Sequence, residues 1–186
     1  MATNDPTVVM IKCRLQSPHL YEPFTDKFGK TRYQAILRIY DKAEQDKVKR
    51  AIEAAVKAKW PNDWQKQLRQ ILANPNCCLL RTPDDTDEYL FMKVTRRPED
   101  GMPKLVGRDR HIVAQSEGLF VSGANIIARL QLWGYDNQSK GVGATITGAQ
   151  WVAEGDAFGG APLAREDDFE DLSAGDNGAA SSDPWA

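Results

Sequence analysis

The chain has 186 residues, 41% of them hydrophobic, and a net charge of −2. That length predicts one domain with room for a tail, and that apolar fraction suffices for one sizeable core. The chain has no run of about 18 apolar residues, which argues against a helical membrane span, and the start, MATNDPTVV, lacks the basic and apolar regions of a secretory signal.

Residues 8–16, VVMIKCRLQ, alternate. Val9, Ile11, Cys13 and Leu15 share one face, and Lys12, Arg14 and Gln16 the other, as in a half-buried strand. SPHLYEPFTDKFGKTRYQ reads as an aromatic, polar connection with a turn at DKFGK. A second strand over 31–40 sets Tyr33, Ala35, Leu37 and Ile39 against Arg32, Gln34, Ile36, Arg38 and Tyr40. Over 42–59 the period becomes helical, with Val48, Ile52, Ala55 and Val56 on one stripe. Pro61 interrupts it, and a second helix follows with Trp64, Leu68, Ile71 and Leu72 inward, ending at NPN, 74–76.

Residues 77–153 return to strand character. They hold a short apolar run at 77–81, a strand at 88–96, a short KLV at 104–106, a long strand or pair over 118–135 broken at Gly123, and a last strand at 142–152. The absence of βαβ alternation argues against a parallel sheet. Strands broken by Gly118, Gly123, Gly134 and Gly148 suit a small closed barrel. The prediction is a mainly β fold, a five-stranded antiparallel barrel with a helical insertion at about 42–72; a β-sandwich is the alternative.

Charge divides the chain. From Arg165 onward seven acids face one base, a net −6, whereas the first 164 residues hold 23 bases and 19 acids, a net +4. The predicted division is a folded domain over 1–160 and a disordered acidic tail over 161–186. A solvated terminus is one reading of the tail. The other is an interaction arm in which the acids Asp167, Asp168, Asp171 and Asp183 meet a basic rim and Trp185 fills an apolar pocket.

A search for catalysis finds little. His19 and His111 lack metal-ligand spacing, and no nucleophile elbow, phosphate-binding loop or zinc-protease motif is present. Cys13, Cys77 and Cys78 are odd in number and form no CxxC, so a reduced protein without a structural metal or cofactor is expected. The outward strand faces carry more information. Tyr89, Phe91, Lys93, Thr95 and Arg97 share one face of a strand, and Ile127, Arg129, Gln131, Trp133 and Tyr135 one face of another. Rings and cations in one row suit unpaired nucleic acid, since rings stack on bases and cations follow phosphates. The other reading is packing under the helices or a second sheet, the commoner fate of a lone Phe91. An arginine in the row of Trp133 and Tyr135 argues for the surface. The loop 96–110 adds Arg96, Arg97, Lys104, Arg108 and Arg110 as a possible phosphate-contacting arm.

YEPFTDKFGKTRYQAILRI, SGANIIARLQLWGYDNQSKGVGATITGAQWVAEGDAFGG and AREDDFEDL together resemble the phage single-stranded DNA-binding protein family, over about Tyr21 to Leu172. The resemblance implies an oligonucleotide-binding (OB) barrel and sequence-independent binding of single-stranded DNA in phage replication or recombination, without enzymatic activity. It implies an acidic tail that contacts replication proteins (polymerase, helicase or recombinase) and modulates DNA binding, in the cytoplasm of the infected bacterial host. It carries Trp133, Tyr135 and Lys140 into the DNA site, and Asp167 to Phe169 into the tail motif. Lys93, Arg96, Arg97, Lys104 and Arg129 rest on the face and loop arguments, with Tyr33, Tyr89 and Phe91 as further stacking candidates. A single-stranded RNA-binding protein or chaperone, a protein-interaction adaptor and a metal-dependent nuclease are the competing readings. Monomer and dimer both stay open.

Overall fold

In the computed structural model, which describes residues 5–158, the first alternating stretch becomes β1 (Val8–Thr25). Its inward residues Ile11, Cys13 and Leu15 are buried. The strand does not end near residue 16, as its polar, proline-bearing continuation suggested. Ser17 takes a left-handed φ of 48°, and the register with β2 (Thr31–Ile39) shifts between Gln16 and His19 and again between His19 and Phe24. Such bulges bend a strand while keeping it paired, and they scramble the period-two pattern that would have revealed it.

β2 pairs with β3 (Leu90–Arg96), β1 also pairs with β5 (Asn125–Asp136), and β5 pairs with β6 (Lys140–Ala153), all antiparallel. A parallel contact between Thr95 of β3 and Thr145 of β6 closes these five strands into a barrel. The expected barrel is therefore the fold, and the β-sandwich is not. A sixth strand, β4 (Lys104–Val106), runs parallel beside β6. Leu37, Met92, Val94, Ala128, Leu130 and Ile146 are fully buried inside the ring.

The insertion forms α1 (Lys42–Lys59) and α2 (Trp64–Ala73). Asp41 caps α1, its side chain accepting from the Ala43 N–H at 2.7 Å. Val48, Ile52 and Val56 are buried, each worth about 1.5–3 kcal/mol. That outweighs the exposed Lys42–Asp46 and Lys57–Glu53 pairs, at less than about 1 kcal/mol each. Buried Glu44 also ties α1 to β1, accepting from the Lys12 N–H at 2.9 Å and from Lys47 Nζ at 2.8 Å.

Three expectations are corrected. Leu72 is exposed, and Gln67 takes the buried place on α2, bonded to Asp63 at 2.6 Å. Residues 77–81 form no strand; Arg81 alone bridges to Phe91. Residues 118–124 are irregular, with Gly118 and Gly123 at φ 64° and 97°, so the long strand begins only at Asn125.

Candidate functional site

A cleft of about 450 Å³ opens on the outer face of β2 and β3. Arg32 and Gln34 come from β2, Phe91, Lys93 and Thr95 from β3, and Trp133 and Tyr135 from the end of β5. These are the outward members of alternating strands. The β1–β2 turn contributes Asp26 and Lys30 to one rim, the β5–β6 turn contributes Asn137, and residues 76–81 form a wall that includes Arg81.

The rims are built locally. Asp26 Oδ1 accepts from the N–H groups of Phe28 (2.9 Å) and Lys30 (3.0 Å), and Gly29 takes a φ of 77°, a conformation glycine adopts without steric cost. The Lys30 N–H is the largest influence holding the Asp26 carboxyl below its ordinary value; burial opposes it, and the Phe28 N–H and the charges of Lys30 and Lys93 assist.

The cleft is electropositive: Lys30, Arg32, Arg81 and Lys93 face one acid, Asp26. Among the described residues none of the four cations has a carboxylate within ion-pair distance. Arg81 is held instead by the carbonyls of Cys78 (3.0 Å) and Asn76 (3.4 Å). Cations without carboxylates are available to phosphates.

The rings are positioned with equal care. Trp133 and Tyr135 lie 5.7 Å apart between centroids, on a stretch of β6 that offers them glycine. A Cβ at Gly143 would sit 2.8 Å from Trp133 Cζ2, and one at Gly141 would collide with the Tyr135 ring. Trp133 Nε1 also donates to Thr145 Oγ1 at 3.1 Å. Trp133 remains 45% exposed, so a base can reach its face. Burial raises the pKa of the Tyr135 phenol, and the nearby Cys77 adds to this; the ring is neutral at physiological pH.

The same sheet face continues past Phe91. Arg38 lies directly across from Phe91 in the β2–β3 ladder and stands 4.6 Å from the centre of the Tyr89 ring. Tyr89 pairs with Tyr40 at 5.1 Å.

The structure thus gathers Phe91, Lys93, Trp133 and Tyr135 in one cleft, with Tyr89 adjoining. The other candidates lie elsewhere. Tyr33 is half-buried on the inward row of β2, opposite Arg96. Arg96 donates to the Gly101 carbonyl at 2.7 Å, and Arg97 pairs with Asp100 at 3.0 Å. Lys104 and Arg129 line a separate apolar cleft beside Met10 and Ile127, with Arg129 Nη1 donating to Thr147 Oγ1 at 2.9 Å. Lys140 reaches Gln67 Oε1 at 3.3 Å and lies 5.7 Å from the Trp60 ring centre. Asp167, Asp168, Phe169, Asp171, Asp183 and Trp185 lie outside the described residues.

Sequence reasoning left Lys30, Arg32, Arg38 and Arg81 out of the site. For Arg32 and Arg38 the signal was present, because β2 alternates as β3 does. Among the described residues, no group of three His, Cys, Asp or Glu side chains is arranged to hold a metal ion.

Residues 6–179 match the family model described as the ssDNA-binding protein of Enterobacter phage Enc34. The chain belongs to this family. A further relative, putative protein p50 of Acyrthosiphon pisum secondary endosymbiont phage 1, is 32% identical over 167 residues, covering 86% of this chain and 90% of that protein. The Enc34 protein has been solved in complex with ssDNA, and this chain superposes on it with a TM-score of 0.67 at 13% identity, over 82% of this chain and 90% of that one. The single-stranded DNA-binding protein gp2.5 of bacteriophage T7 gives 0.51 at 17% identity, over 94% and 98%. At those identities the Enc34 and T7 structures establish a shared OB-type fold. The Enc34 family is one of binding proteins rather than enzymes.

Proposed function

We propose that this chain binds single-stranded DNA without sequence preference in the cleft over β2 and β3. The observation that carries the reading is the cleft's composition. Trp133, Tyr135 and Phe91 offer ring faces, and Lys30, Arg32, Arg81 and Lys93 offer charges with no carboxylate partner among the described residues. Stacking on rings contributes roughly 1–3 kcal/mol per base whatever the base, and phosphate neutralisation makes the affinity fall with salt. The names of the Enc34 and T7 relatives support the same ligand.

The setting that fits is phage DNA replication or recombination in the cytoplasm of the infected bacterial cell. Residues 1–160 would act as the binding domain. The acidic segment 161–186, with its motif around Asp168 and its Trp185, would recruit replication proteins and compete with DNA for the electropositive cleft.

The test is titration of the tryptophan fluorescence with a dT oligomer of about 30 nucleotides across several salt concentrations, with matched RNA alongside. Quenching that weakens with salt and favours DNA is expected. Absence of oligonucleotide binding at low salt would overturn the reading. Equal affinity of full-length and 1–164 protein would overturn the role of the tail as a competitor.

A further inference from the structure

The segment after β6 folds back over the outer sheet face. Asn125 Nδ2 donates to the Glu154 carbonyl at 3.1 Å. Gly123 and Gly155 approach so closely that a Cβ on either would strike the backbone of the other's segment. Arg14 donates to the Gly123 carbonyl at 3.3 Å and to the Asp156 carbonyl. This strap, residues 154–158, carries Phe158 onto two guanidinium groups. Arg38 lies 3.8 Å and Arg14 4.3 Å from the centre of its ring.

The location matters because Arg38 faces Phe91, a cleft residue, across the β2–β3 ladder. Phe158 therefore sits where the cleft continues towards Tyr89 and Tyr40. Arg14 and Arg38 have no carboxylate partner among the described residues; Arg38 Nε donates to Gln16 Oε1 at 2.7 Å. A flat ring over paired guanidiniums is what a nucleobase presents to such a surface, and the guanidinium edges remain able to meet phosphate. Phe158 itself is only half-buried, so core packing does not account for its position.

We propose that the Arg14–Arg38 platform is a nucleobase subsite continuous with the cleft, and that Phe158 fills it until single-stranded DNA displaces the strap. This rests on the cleft being a single-stranded DNA site. Binding then exchanges one stacked ring for another, and the apparent affinity is lowered by the contact that must be broken.

The test compares full-length wild type with Phe158→Ala, using anisotropy of a labelled dT oligomer and hydrogen exchange of the 154–158 backbone. Losing both arginine–aromatic contacts, those of Arg38 and Arg14, predicts binding roughly five- to 30-fold tighter. Saturating DNA should speed exchange in the wild-type strap while slowing it around Phe91. If the variant binds no more tightly, or the strap is unaffected by DNA, the subsite falls while the cleft stands. If the wild type binds no oligomer at all, both readings fall.

Discussion

Gly143→Ala should weaken DNA binding through Trp133 without harming the fold. The added methyl carbon would lie 2.8 Å from Trp133 Cζ2 and 2.9 Å from Cε2, closer than real Cβ atoms come. The strand backbone is held by its ladder with β5, in which Gly143 lies opposite Trp133, so the indole must move. Moving it breaks the Trp133 Nε1 to Thr145 hydrogen bond, worth about 0.5–1.5 kcal/mol. Trp133 is 45% exposed, so it can swing towards solvent rather than strain the core. The stability cost should then stay near that of the one hydrogen bond. The binding cost should approach that of losing one stacking platform, about 1–3 kcal/mol, or roughly five- to 150-fold in Kd. Anisotropy of a labelled dT oligomer measures the affinity for wild type, Gly143→Ala, Trp133→Ala and the double variant. If the glycine acts only through the ring, the double variant binds no worse than Trp133→Ala. Additive losses, or wild-type affinity in Gly143→Ala beside a weakened Trp133→Ala, would refute the account.

Lys93→Ala should lower the magnitude of the salt slope of binding by about 0.7, the share of one single-strand phosphate contact, whereas Arg97→Ala, whose guanidinium already pairs with Asp100, should leave the slope nearly unchanged; equal effects would place the phosphates elsewhere. Burial opposes ionisation of Glu44, but Lys47 and the Lys12 N–H overcome it and hold the carboxyl below its ordinary 4.5. Its contribution to stability is therefore present above about pH 4.5 and lost as the pH falls through the lowered value. The stability gap between wild type and Glu44→Gln in urea should shrink over that acid range; a gap independent of pH would count against it. His111 is held above 6.5 by Asp109 first and by Glu117, 3.1 Å from Nε2. Its contribution to the 107–118 loop is complete below about pH 6.5 and is lost as the pH rises through the raised value. An NMR titration of His111 should show the raised value, and Asp109→Asn should bring it down.

Much of the architecture was legible because its signals are local. α1 runs over the residues that the helical spacing of Val48, Ile52 and Val56 marks out, between an Asp41 cap and Pro61. The outward rows of β3 and β5 follow from alternation alone, since successive side chains must leave opposite faces of a strand. Hence Phe91, Lys93, Trp133 and Tyr135 were identifiable as a ring-and-cation surface. The bulged half of β1 was not legible, because its shifts at Gln16–His19 and His19–Phe24 destroy the period that marks a strand. Nor were residues 118–124, where strand-like composition gives way to the left-handed turns of Gly118 and Gly123.

Which outward residues meet is a different kind of fact. Arg129 and Trp133 share one row of β5, yet Trp133 lines the DNA-candidate cleft and Arg129 lines the cleft beside Met10. Four residues along a strand span about 13 Å, and a barrel's curvature turns that distance into a change of direction. Arg32 and Lys30 join Trp133 only because the Thr95–Thr145 contact closes the ring and faces the two hairpin turns across one groove. Sequence by itself determined the chemistry of each face, because side-chain alternation is a property of the single strand. Only the tertiary structure decided which faces share a groove, because closure and curvature depend on pairings between strands far apart in the chain.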